Sequence, residues 1–191
     1  MWCGNNFREN RKNKGGHELI KGEEVGLNVR IAVYPGTFDP VTYGHIHITE
    51  RSCKLFDQVI IAVARETNKC NLFSLAERIL MIKESVAHLE NVTVKSFTGL
   101  LANFAAAQKA IALIRGLRAV SDFEYEMQMA AMNKHLNREM ETVFLMTEGK
   151  YSFLSSSIIK QVALIGGSVE GLVPPIVLDY IRQKYQEIKK N

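Results

Sequence analysis

Residues 32–48, AVYPGTFDPVTYGHIHI, pass from an apolar run through a loop dense in Gly and Pro into two histidines separated by one residue. The run begins at Arg30 as RIAVY (30–34), and QVIIAVA (58–64), VTVKSF (92–97), IALIRG (111–116) and TVFLM (142–146) share its richness in Val and Ile. Several of these runs are apolar throughout, which implies burial on both faces. Parallel strands experience that when helices cover each side of a sheet.

Helical patterns separate the runs, over about 43–56, 74–89, 100–110, 121–138, 155–165 and 174–189. Ser74 with Glu77, and Ser121 with Glu124, have the spacing of a capping box, in which each residue satisfies an unpaired N–H of the other's backbone. Pro174 and Pro175 suit the first turn of the last helix. Regular alternation of strand and helix predicts an α/β fold, a Rossmann-like, doubly wound, five-stranded parallel sheet with helices on both faces. Ligands of such sheets bind beyond the carboxyl ends of the strands, so each loop there is a candidate site.

Composition bounds the partners. The 191 residues suit one domain, with 47% hydrophobic and 23% charged residues, ordinary values for a globular protein. A net charge of +4 comes from basic residues interspersed with acids, which argues against nucleic acid as a partner while leaving small anions open. Cys3, Cys53 and Cys70 are odd in number and widely spaced, as expected of reduced thiols in a cytoplasmic protein. No apolar run approaches the ~20 residues needed to cross a bilayer, so no membrane partner is expected. Residues 1–29 are polar and aperiodic and are expected to form a disordered extension, leaving residues 30–191 as a single domain.

The loop after the first strand lacks the G-x-G-x-x-G of dinucleotide-binding dehydrogenases and the G-x-x-x-x-G-K-[ST] of a P-loop. It offers Gly36, where backbone can approach a ligand, then Thr37 and Phe38, and His45 at a helix start. Unpaired N–H groups and the helix dipole already attract phosphate there, so His45 can add a donor to an anion held by backbone, or be only a solvent-facing or capping residue. His47, two residues on, points elsewhere on the helix and is expected at the surface. Arg115 and Arg118 flank Gly116 and Leu117 after the fourth strand, where guanidiniums can grip phosphate oxygens or simply be solvated. Ser155, Ser156 and Ser157 open a helix, as caps or as a phosphate cradle. Met127, Met129 and Met132 suggest packing or subunit contact.

The T-x-G-H form at residues 42–45 after YPGTFDP resembles the signature of the nucleotidyltransferase superfamily. With LLANFA (100–105), LIRGLRAVSDFEYEMQMAAMN (113–133), VFLM (143–146) and YSFLSSSIIK (151–160), the chain resembles the bacterial phosphopantetheine adenylyltransferases. That resemblance implies transfer of the adenylyl group of ATP to 4'-phosphopantetheine, with Mg2+ and a homohexameric assembly. It implies that His45, Lys69 and Thr37 are catalytic. ATP would be held by Thr37, Phe38, His45, Gly116, Leu117, Arg118, Glu126, Tyr151, Ser152, Phe153, Leu154, Ser155, Ser156 and Ser157. The acceptor would meet Thr37, Lys69, Leu101 and Arg115, and magnesium would be held mainly by phosphates. Alternatives are another small-molecule adenylyl- or cytidylyltransferase, or a non-catalytic nucleotide-binding module.

Overall fold

A computed structural model of the chain describes residues 29–66, 70–118 and 120–190. Five strands, β1 (Ile31–Gly36), β2 (Gln58–Ala64), β3 (Val92–Phe97), β4 (Ala112–Leu117) and β5 (Glu141–Met146), form one sheet in the order β3-β2-β1-β4-β5. Every neighbouring pair is parallel. The helices are α1 (Tyr43–Cys53), α2 (Leu75–Ser85), α3 (Leu101–Ala107), α4 (Val120–Leu136), α5 (Ser156–Leu164) and α6 (Pro175–Lys190). The expected α/β architecture is therefore present, with β2 and β3 bounded as expected and the other element ends shifted by at most four residues.

Alternation along the strands sorts the core into two layers. Ala32, Tyr34, Val59, Ile61, Val63 and Ile114 pack on one side with Ile48 of α1, Met81 and Ile82 of α2, Ile159 of α5 and Val177 of α6. Val33, Ile60, Ala62 and Leu113 face the other side, against Ala105 of α3, with Leu101 and Phe104 at its margin. Helices thus cover both faces, which explains the uninterrupted apolar runs. Thr49 and Ser52 are buried within α1 because their hydroxyls donate to the carbonyls of His45 and Ile48, 2.9 and 2.7 Å away.

The capping box at Ser74 and Glu77 forms as expected: Glu77 N–H donates to Ser74 Oγ, and Ser74 N–H to Glu77 Oε2. The start expected at Ser121 lies one residue late, because α4 begins at Val120. A short 3-10 turn, Gly149–Tyr151, was absent from the periodic pattern, being too brief to have one. Among the described residues no helix is long and apolar enough to cross a membrane. Apart from Val29, the extension expected over residues 1–29 lies outside the described residues.

Pairing between β1 and β4 sets the position of the site. It spans only Ala32 with Ala112 and Val33 with Leu113, whereas β4 and β5 pair from Ala112 to Leu117. Beyond Val33 and Leu113 the two strands part. The chain reverses its direction of progress across the sheet at this same point, and the parting opens a crevice at the carboxyl ends.

Candidate active site

The crevice is a cleft of about 380 Å³ whose walls come from the β1–α1 loop, α1, the end of β4, α4, and the segment from β5 into α5. Thr37, His45, Arg115, Gly116, Arg118, Glu126, Tyr151, Leu154, Ser155, Ser156 and Ser157 all line it. The fold thus brings together most of the residues singled out in the sequence. Phe38 and Leu117 are buried, with 3% and 5% exposure, and their side chains do not face the cleft. Leu101 packs in the second core layer, and Ser152 and Phe153 are exposed outside the cleft wall. Lys69 lies outside the described residues.

His45 stands at the third position of α1. Thr42, the N-cap, donates its backbone N–H to His45 Nδ1 at 3.1 Å. A ring nitrogen that accepts carries no proton, so the neutral ring's N–H is Nε2. Burial, and then the charge of Arg118, push the His45 pKa down to about 4. At neutral pH His45 is therefore an uncharged donor of fixed tautomer. Its ring rests edge-on against Phe38, centroids 5.1 Å apart, and Phe38 in turn meets Tyr34 at 5.5 Å. Phe38 is thus a support beneath the site, held in a left-handed backbone conformation with φ 50°. A Cβ on Gly36 would come within 2.9 Å of that ring, so a side chain there would force the Phe38 ring to shift.

Asp39 and Arg78 anchor the loop from below. Asp39, 3% exposed, accepts from Leu72 N–H at 3.0 Å, from Phe73 N–H at 2.9 Å, and from Lys160 of α5. Arg78, 1% exposed, donates through Nη1 to the carbonyls of Thr37 at 2.7 Å and Ala64 at 3.0 Å. Two strands and a helix are thereby tied at the cleft floor. The three serines divide their work: Ser155 Oγ accepts from Ile158 N–H as a cap, and Ser156 Oγ donates to the Pro40 carbonyl at 2.7 Å. Ser157 is exposed at the cleft, where the first N–H groups of α5 lack helical partners. An anion at this helix start would therefore meet backbone N–H groups and Ser157, not a row of three free hydroxyls.

Arg115 meets Glu126 fork to fork, with Nε to Oε2 and Nη2 to Oε1 both 2.5 Å. Burial weighs against the Arg115 charge, but the bond to Glu126 and its negative charge outweigh it and raise the pKa. Arg118 reaches the Leu154 carbonyl at 3.3 Å, linking β4's end to the start of α5. The structure corrects one expectation: His47 is not a surface residue. Its side chain is 13% exposed, and Nε2 lies 2.9 Å from Glu148 Oε1, because the loop after β5 folds over that side of α1.

Tyr34, Asn71, Thr147 and Lys160 also line the cleft but were not identified in the sequence. Lys160 follows Ser156 by one helical turn, a spacing that places a cation beside the hydroxyls and could have flagged it. Thr147 directly follows β5, at a carboxyl end of the kind the fold singles out.

The arrangement comprises cations, one neutral imidazole donor and helix N-termini, with every lining carboxylate engaged by Lys160 or Arg115. It fits stabilisation of phosphate charge better than proton abstraction, which is the work of a nucleotidyltransferase. Residues 33–162 match the family described as cytidylyltransferase-like. The fold is similar to that of a solved structure from Vibrio parahaemolyticus, provisionally named a nicotinate-nucleotide adenylyltransferase, with TM-score 0.63 and 17% identity over 83% of this chain and 96% of that one. The chain belongs to the phosphopantetheine adenylyltransferase family. It is 54% identical over 157 residues to the phosphopantetheine adenylyltransferase of Moorella thermoacetica, covering 82% of this chain and 98% of the relative. The relatives of that name from Syntrophomonas wolfei and Geobacter sulfurreducens are 53% and 50% identical, covering 82% and 83% of this chain and 97% of each relative.

Proposed function

We propose that this chain transfers the adenylyl group of ATP to 4'-phosphopantetheine, yielding dephospho-coenzyme A and pyrophosphate. The observation that carries this reading is His45, a neutral donor aimed into a cleft rich in cations that joins the two halves of the sheet. The acceptor's phosphate is its own nucleophile, largely ionised at pH 7 with a second pKa of about 6. No general base is required. The protein's contribution is alignment and stabilisation of charge on the α-phosphate as the new bond forms and pyrophosphate leaves.

In this reading Thr37 and Arg115 hold the acceptor, joined by Lys69 and Leu101, while His45 donates from Nε2 to the α-phosphate. Arg118, Gly116, Glu126, Tyr151 and Leu154 to Ser157 take ATP, with Leu117 and Phe38 acting through their backbone and Phe38 also through its support of His45. Among the described residues no group of three or more His, Cys, Asp or Glu forms a metal cage. In this proposal a magnesium ion, carried mainly by the phosphates and water, would offset the triphosphate's charge. Residues 30–191 form one nucleotidyltransferase domain in this proposal, working in the cytoplasm. The exposed apolar side chains Phe123, Tyr125, Met127, Met129, Met132 and Leu136 along α4 support assembly into a homohexamer.

A coupled pyrophosphate assay tests the function. Release with ATP and 4'-phosphopantetheine, its absence with nicotinate mononucleotide or glycerol phosphate, and its loss in His45→Ala are expected. Turnover with another acceptor but not with 4'-phosphopantetheine would overturn the proposal.

A further inference from the structure

While His45 lines the cleft, two other side chains of α1 reach the end of β5 and the segment that follows it. Arg51 Nη1 donates to the Met146 carbonyl, and His47 Nε2 lies 2.9 Å from Glu148 Oε1. Residues 47 and 51 are one turn apart and share a helix face. Between these two anchors Thr147 is fastened to β4, its N–H and Oγ1 both donating to the Leu117 carbonyl at 2.9 and 3.1 Å. Residues 146–148 are therefore held at three successive points.

Glu148 leads directly into the 3-10 turn that ends at Tyr151. The Tyr151 ring lies against the His47 ring, centroids 5.4 Å apart and tilted by 49°. Tyr151 lines the cleft, and it also lines a second hollow, where its neighbours include His47, Tyr43 and His88. It is a partition between the two, backed by His47. The imidazole is the anchored member of its pair, 13% exposed against 53% for Glu148. Among the described residues nothing hydrogen-bonds its buried Nδ1, a cost that a purely apolar packing residue would avoid. The contact with Glu148 is what distinguishes His47 from such a residue. Lys150 also pairs with Glu148, at 3.2 Å, so without His47 the carboxylate would be drawn toward the solvent-exposed lysine instead.

We propose that His47 is a positioning residue for the nucleotide: by holding Glu148 and backing the Tyr151 ring, it presets the wall that runs from Thr147 to Ser157. This rests on the reading of that wall as the ATP subsite. His47 touches no reacting atom, and its effect falls on one substrate of the two.

The test uses the full chain. Initial rates are measured with ATP and 4'-phosphopantetheine varied separately, ATP affinity is measured by calorimetry, and Tm is recorded for wild type, His47→Ala, His47→Gln and Glu148→Ala. His47→Ala is expected to raise KM and Kd for ATP about tenfold, the loss of one charge-assisted contact, with kcat and the acceptor KM within about twofold. His47→Gln, which keeps an amide donor near the Nε2 position, should recover most of the loss. Glu148 is exposed, so Glu148→Ala keeps its core intact and should reproduce the ATP defect. Wild-type ATP affinity in folded Glu148→Ala, or equal weakening of both substrates in His47→Ala, would overturn the proposal. A lowered Tm with both KM values unchanged would do the same. If the wild type releases no pyrophosphate with 4'-phosphopantetheine, the functional reading fails, and calorimetry with ATP still decides the role of His47.

Discussion

Arg115 and Glu126 close on each other across the cleft through two parallel bonds of 2.5 Å, joining the end of β4 to the middle of α4. Each is proposed to serve a different substrate, so the pair couples the acceptor subsite to the nucleotide subsite. Glu126→Ala is expected to raise KM for both substrates by about tenfold or more, since it leaves a half-buried guanidinium without its partner. Arg115→Lys should fail to restore the acceptor KM, because an ammonium cannot make the two-pronged contact. Steady-state kinetics with each substrate varied in turn checks both. An effect of Glu126→Ala confined to ATP would refute the coupling.

His45→Ala is expected to lower kcat by about 10²- to 10³-fold, the loss typical of one transition-state donor, while both KM values move less. Because its pKa is pushed down to about 4, His45 stays neutral throughout the physiological range and contributes no inflection to kcat between pH 6 and 8. A pH profile of kcat for wild type, showing a His45-dependent limb near pH 6.5, would contradict the assigned protonation state.

The same depressed pKa bears on stability. The fold favours the neutral ring over the ordinary value of 6.5, so the unfolded chain binds the extra proton first as pH falls. Stability from this group is complete above pH 6.5 and is lost as pH drops toward 4, by up to about 3 kcal/mol. Urea unfolding from pH 7 to pH 4 should show this slope, and His45→Gln should flatten it. An unchanged slope in that variant would place the acid sensitivity elsewhere.

Asp39→Ala should destabilise the chain by about 3 to 5 kcal/mol, because it strands the N–H groups of Leu72 and Phe73 and leaves Lys160 without its carboxylate. Arg78→Met should cost about 2 to 4 kcal/mol by leaving the Thr37 and Ala64 carbonyls unpaired in the interior. Denaturant melts measure both. A Tm within one or two degrees of wild type in either variant would show that water or a neighbour replaces these bonds.

Gly116→Ala is expected to perturb the cleft more than the core. The added methyl would meet Ile48 Cγ1 at 3.2 Å and Tyr34 Oη at 3.6 Å, pressing α1 away from β4 where His45 is held. A several-fold fall in kcat/KM with a stability loss near 1 kcal/mol is the expected signature. Equal activity in the variant would show that Ile48 yields by a rotamer change.

Much of this architecture was legible because its signals are local. Alternating apolar runs and helical periods disclosed β1 to β5 and the six helices, and the carboxyl-end rule directed attention to Thr37, His45, Arg115 and Arg118. What escaped notice depends on contacts across long sequence separations. His47 and Glu148 are 101 residues apart, Asp39 and Lys160 are 121 apart, and neither pair leaves a period or spacing in the chain. Phe38 is legible as a residue of the ligand-facing loop, but the contact of its ring with His45, and the left-handed backbone it adopts there, leave no mark in the sequence. Ser155 and Ser156 stand at the start of α5 as the pattern implies, but their partners, Ile158 and Pro40, show that two of the three hydroxyls already serve the fold.

The 2.9 Å clearance between a Cβ on Gly36 and the Phe38 ring reaches further than the loop itself. A larger residue at 36 would evict Phe38, and the edge on which the His45 imidazole leans would go with it. Gly36→Ala would thus behave as a mutation of the histidine's bearing surface. Such a protein is expected to lose kcat through a less firmly held donor while both KM values stay near wild type, an outcome that steady-state kinetics would register.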